Sequence, residues 1–207
     1  MGRYKNKHIL FRVKHGVIMK LLKTAIILIF VGLFFGVGVI YSGYINVGAN
    51  VADNRLIDWL LVTAREKSVE RHSKNITNNV PNLEDQAFIL AGAKNYDAMC
   101  ASCHTPPGES NSPLSIGMNP PPPDLQIEGQ VTSANELFWV TKNGIRMTGM
   151  PAWGATHDDD VIWSLVAFIK TLPKMTSDEY TKMIALAKSK NSATPEKAEE
   201  GHSGHSH

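Results

Sequence analysis

The chain has 207 residues, enough for one domain of ordinary size plus appendages, and a net charge of only +2. That small total hides an uneven distribution: residues 1–23 hold seven Lys/Arg and no acid, whereas residues 82–190 hold eight bases against twelve acids. The basic end is therefore not a property of the folded domain, and the apolar run behind it excludes a nucleic-acid-binding patch.

No charged residue occurs from Thr24 to Ala52. The stretch Ala25 to Ile45 is long and apolar enough to cross a hydrocarbon core as a helix, with Tyr41 and Tyr44 at its far end, where aromatic rings settle at the interface. The Lys/Arg excess ahead of it predicts a cytoplasmic N-terminus, so that everything after the span lies outside that membrane. Val47-Gly48-Ala49 would be a tolerable cleavage site for a signal peptide, but the apolar run exceeds the usual signal core and favours a retained anchor. Met19 offers a second plausible start, from which the same topology follows. The expected boundaries are a basic N-terminus at 1–23, an anchor at 24–45 that meets lipid, and a juxtamembrane helix and linker at 46–83.

Residues 53–72 have helical periodicity, with Leu56, Trp59, Leu60 and Thr63 on one face. They predict an amphipathic helix near the membrane surface or against a partner. His72 reads as a solvated residue. Ser73 to Asn82 has a linker's composition. Glu84 to Met99 reads as a helix carrying Gly92 and Tyr96 four apart, and a mid-helix glycine asks for close approach by another helix.

Residues 100–104 read Cys-Ala-Ser-Cys-His and contain both cysteines of the chain. A dithiol redox centre of this spacing is expected beside a βαβ pattern, which is not visible, and no second cysteine pair completes a zinc shell. Cys-x-x-Cys-His is the attachment run of a c-type haem. On a helical turn, i and i+3 share a face, so Cys100 and Cys103 can reach two vinyl groups while His104 offers the proximal ligand. A carbonyl of Pro106 or Pro107 is the expected partner of the second His104 nitrogen. Residues 110–124 read as a long irregular segment, and its four prolines, Pro120 to Pro123, predict an extended wall along the haem edge.

Ser133 and Glu136 make a capping box for a short helix to Asn143, with Gly144 behind it. The loop that follows carries Met147 and Met150. Met150, between Gly149 and Pro151, is the expected distal ligand, with Met147 second and Met118 an outsider. Asp158 to Asp160 open a helix whose apolar stripe, Leu165, Phe168, Ile169 and Leu172, is the expected partner of the Gly92/Tyr96 face. Thr176 and Glu179 can cap a last helix within 175–190, and the tail 191–207 reads as disordered, with three histidines able to bind a transition metal weakly.

Together, Gly92-x-x-x-Tyr96, Cys100-Ala-Ser-Cys103-His104, Pro-Pro-Asp-Leu, Gly149-Met150-Pro151 and the helix from Trp163 to Pro173 resemble the class I cytochrome c family, in its membrane-anchored bacterial monohaem form. The resemblance covers residues 84–174. It implies an all-α fold, a small helical domain around one covalent haem c, preceded here by one transmembrane helix. It implies His104/Met150 ligation and one-electron transfer on the periplasmic side of the inner membrane, not enzymatic turnover of a small-molecule substrate. The redox partners expected are a terminal oxidase or a periplasmic dehydrogenase, either met in passing or joined permanently as a haem subunit. A haem sensor or peroxidase-like enzyme is the remaining alternative. The anchor, the juxtamembrane helix and the C-terminal helix are additions that the family fold does not explain.

Overall fold

Among the residues that the computed structural model describes (3–51, 54–76, 80–127 and 133–191), every regular element is helical. The His-containing tail lies outside them. The chain divides after Val51 into two units.

The first unit is one helix, α1, Arg3–Tyr41. Its segment Val17–Tyr41 is the one described stretch long and apolar enough to cross a membrane, and none of it is buried. Twenty-five residues at 1.5 Å each give about 37 Å, more than the ~30 Å of a hydrocarbon core. The helix begins far ahead of residue 24 and stops four residues short of Ile45. Gly43 takes a positive φ of 68°, a conformation open to glycine, and the Ser42 hydroxyl donates to the Val39 carbonyl (2.7 Å).

The second unit contains α2 (Arg55–Ser73), α3 (Gln86–Met99), α4 (Pro113–Ile116), α5 (Ala134–Asn143), α6 (Asp159–Ile169) and α7 (Ser177–Asn191). Short 3-10 turns occupy Trp153–Ala155 and Leu172–Lys174. Their starts are chemically specified. Asp85 accepts from the Ala87 and Phe88 amides, and Ser133 and Glu136 form the full capping box. Asp159 and Asp160 lie in the first turn of α6, where the helix dipole favours acids, and Asp159 also pairs with Lys142 of α5. The single turn of α4, capped by Ser112, interrupts the segment expected to be irregular throughout.

The core is built on α6. The expected apolar stripe proves too narrow a description, because every residue from Ile162 to Ile169 is buried. Two helices cause this. α3 crosses one side, where Gly92 lets the Ser164 carbonyl approach and Tyr96 meets Phe168 at 5.2 Å between ring centroids. α5 takes another side, with Phe138 stacked on Trp163 at 4.2 Å. Rings so arranged add roughly 0.5–1.5 kcal/mol each beyond the area they bury.

The two additions to this core are packed against it. α7 lies on α3, burying Tyr180, Ile184 and Ala187, and Asp97 of α3 accepts from Lys188 (2.7 Å) and from the Tyr180 hydroxyl (3.4 Å). α2 lies on α5: the His72 ring stacks on Trp139 at 5.5 Å, and the Asn135 side chain donates to the Ile76 carbonyl just beyond the helix (2.9 Å). His72 is exposed, yet it packs on an indole rather than standing free in water.

Candidate haem attachment site

The Cys-x-x-Cys-His run is a turn appended to α3. Cys100 caps the helix with its amide on the Tyr96 carbonyl (2.8 Å). The amides of Cys103 (3.0 Å) and His104 (2.8 Å) then both reach back to the Cys100 carbonyl. The helical spacing expected of the two cysteines is therefore kept one turn past the helix end. The buried Tyr96 reinforces it, because its hydroxyl donates to the His104 carbonyl at 2.7 Å. Burial pushes that phenol well above its ordinary range.

Both thiols are free of disulfide. Cys100 is buried, which raises its thiol to about 12, with the neighbouring Cys103 adding to the rise. Cys103 is partly exposed. For His104, burial lowers the pKa and the carbonyl it touches works weakly against that, so the neutral imidazole is favoured. A neutral ring is the form that ligates a metal.

The carbonyl in question corrects an expectation. It belongs to Pro123, whose oxygen lies 3.0 Å from His104 Nδ1, and not to Pro106 or Pro107. A carbonyl can only accept, so Nδ1 carries the hydrogen and Nε2 keeps its lone pair. Pro106 and Pro107, two and three residues after the histidine, are buried, and the loop returns to the ring nineteen residues later. The return is stitched in place: the Gln126 side-chain Nε2 donates to the Thr105 carbonyl (3.0 Å), Ser112 Oγ to the Ser102 carbonyl (2.6 Å), and Thr105 Oγ1 to Asn111 Oδ1 (2.8 Å). Leu125 sinks into the core beside them. Sequence reasoning missed Ser112, Gln126 and the role of Pro123, since loop residues carry no periodicity. The one local signal was Asp124, whose carboxylate accepts from the Gln126 amide (2.8 Å) in an Asx turn.

Met150 comes from a separate loop. Gly144 turns the chain at φ 65°, and a methyl group there would meet the backbone of Met150, Pro151 and Ala152 at 2.7–2.8 Å. The loop closes on itself. The Ile145 amide donates to the Met150 carbonyl (3.1 Å), Thr148 Oγ1 to the Ile145 carbonyl (2.8 Å), and the Met150 amide to Thr148 Oγ1 (3.1 Å). Met150 is half-buried. Met147 is 88% exposed, with a positive φ of 61°. Gly149 makes room for Met118, whose sulfur would lie 2.8 Å from an added methyl group.

This donor set fits a covalent haem: two free thiols three residues apart on one turn, an imidazole with Nδ1 occupied and Nε2 available, and a thioether held in a closed loop. A helical core around a Cys-x-x-Cys-His turn defines a c-type cytochrome domain. Residues 87–169 match the family described as "Cytochrome C oxidase, cbb3-type, subunit III", from the second residue of α3 to the last of α6. Residues 87–169 thus form a cytochrome c domain, a kind of domain that holds haem c for electron transfer, while α1, α2 and α7 lie outside the matched segment. No curated protein and no solved structure matches the chain.

Proposed function

We propose that this protein is a membrane-anchored monohaem c-type cytochrome that passes single electrons on the periplasmic side of the inner membrane. In this reading the basic N-terminus stays in the cytoplasm, Val17–Tyr41 crosses the bilayer, and Cys100 and Cys103 attach one haem c by thioether bonds. His104 and Met150 would hold its iron. The observation that carries the reading is the hydrogen bond from His104 Nδ1 to the Pro123 carbonyl, which favours the tautomer that leaves the Nε2 lone pair for a metal. Bound there, haem c supplies a one-electron couple between ferric and ferrous iron.

The remaining work belongs to the chain. Tyr96 holds the His104 backbone, Pro123 aims its ring, and Thr148 with Gly144 holds the loop that presents Met150. A thioether ligand favours a fairly positive potential. The matched family is described by an oxidase subunit, which favours a terminal oxidase over a periplasmic dehydrogenase as redox partner, and admits a second reading as a fixed subunit of such a complex.

Expression of the full chain in bacteria competent for cytochrome c maturation tests the proposal. Haem should stay with the polypeptide on a denaturing gel, give the pyridine haemochrome spectrum of a c-type centre, and remain in the membrane pellet after alkaline extraction. Cys100→Ser with Cys103→Ser should lose the gel-stable haem. Absence of haem from the wild-type chain in those cells defeats the reading. Migration in mild detergent, alone or with partners, separates the free carrier from the fixed subunit.

A further inference from the structure

The two halves of α2 have different surroundings. The C-terminal half is used by the fold: Ser73 is buried, and His72 stacks on Trp139 of α5. The N-terminal half is not, apart from Leu61, which borders a cleft shared with Trp139 of α5. Leu56, Ile57, Trp59, Leu60 and Leu61 are each between 51% and 63% exposed, five large apolar side chains within six positions. At 100° per residue they cover an arc of about 200°, with Arg55 and Asp58 on the opposite side. An exposed apolar surface of this density marks a contact site.

The chain preceding α2 indicates what covers it. Residues 42–51 contain no charge, and Tyr44, Ile45 and Val47 are 88%, 56% and 92% exposed. Apolar exposure thus continues from the end of the span almost to the first turn of α2. Thirteen residues separate Tyr41 from Arg55, and turns at Ser42–Gly43 and Gly48–Val51 shorten their reach. A tether this short keeps the helix at a high effective concentration beside any membrane that α1 crosses. Tryptophan favours the headgroup level, and Arg55 has the charge to meet phosphate there.

We infer that residues 55–61 of α2 lie in the phospholipid interface, with Leu56, Ile57, Trp59, Leu60 and Leu61 embedded at the headgroup–acyl boundary. The inference rests on the anchor reading above. It makes α2 a bracket with one end in lipid and the other gripping α5, so that the cytochrome domain does not swing freely on its tether. An oriented domain suits electron exchange with a partner in the same membrane.

The test uses the full haem-loaded chain in bilayers of phosphatidylethanolamine and phosphatidylglycerol. Once Cys100 and Cys103 are thioethers, Leu60→Cys, Lys67→Cys and Phe34→Cys each supply a single reactive thiol for a nitroxide. Collision with oxygen, which concentrates in lipid, is compared with collision with a water-soluble nickel chelate. The expected oxygen-to-nickel ratio at Leu60 is several-fold above that at Lys67 and below that at Phe34, inside the span. A Leu60 label as open to nickel as Lys67, with Phe34 still in lipid, overturns the inference and leaves the anchor standing. A Leu60 label shielded from both reagents means a protein surface covers the helix, and also overturns it. Exposure of Phe34 to nickel defeats the anchor reading itself.

Discussion

Gly92 of α3 rests directly on the Ser164 carbonyl of α6, so that a methyl group at Gly92 would overlap that oxygen and come within 2.9 Å of Phe168 Cβ. Neither neighbour can yield cheaply, since one is helix backbone and the other the root of a fully buried ring. Gly92→Ala should gain up to ~1 kcal/mol of helix propensity and lose more to overpacking, for a net destabilisation of about 1–3 kcal/mol. Chemical denaturation followed by far-ultraviolet circular dichroism measures it; a stabilised variant would show that the two helices are not in contact.

Tyr96→Phe removes the hydroxyl that donates to the His104 carbonyl and leaves that carbonyl to find another donor. The expected cost is about 1–2 kcal/mol of stability. Denaturation of the haem-loaded protein, monitored at the haem absorption band, should show the midpoint fall.

Met150→Ala should open a coordination position, so that the reduced protein binds carbon monoxide at neutral pH and loses its six-coordinate spectrum. Met147→Ala should leave the spectrum unchanged, as befits a side chain 88% exposed. The opposite pattern in the two variants would transfer the ligand role to Met147.

Asp97→Ala removes the acceptor shared by Lys188 and Tyr180 and should loosen α7 from α3. The Lys188 end is largely exposed, so the effect should be modest, about 1 kcal/mol or less. Amide hydrogen exchange should speed up along 177–190 and stay unchanged in α6.

The cap of α7 gives a pH dependence with a definite sign. The Thr176 amide and hydroxyl both donate to Glu179 and lower its carboxyl below the ordinary 4.5. A depressed folded-state pKa stabilises fully above the unfolded value and is lost as pH falls through the folded one. Protection of the first turn of α7 should therefore hold above about pH 4.5 and decline below it, and Glu179→Gln should abolish the decline. Exchange measured from pH 6 to pH 3 decides it.

Local and periodic features were legible in the sequence. The Ser133/Glu136 and Thr176/Glu179 boxes and the turn at Gly144 each rest on a few neighbouring residues, and the contact of Gly92 and Tyr96 with α6 was signalled by a glycine in mid-helix facing an apolar stripe. The all-α fold was what the resemblance to class I cytochromes c implied, and every regular element among the described residues is helical. What stayed hidden depends on non-local encounters. Pro123 was passed over for the nearer Pro106 and Pro107, because nothing in a proline run says where its carbonyls point. The seating of α2 on α5 was equally silent, since His72 stacks through a ring that its sequence neighbours do not mention. The burial of α6 on nearly all sides appears only when α3 and α5 are both in place.

The choice of a proline carbonyl to hold His104 restricts the backbone that carries the acceptor. Residues 120–123 have no backbone N–H, so they cannot wind into a helix or pair as a central strand, conformations that would bind the Pro123 oxygen elsewhere. The acceptor that His104 Nδ1 meets therefore sits on a stretch of chain with few rival conformations. In the proposed reading, a backbone with so few alternatives keeps Nδ1 engaged by Pro123 and Nε2 as the nitrogen offered to the haem.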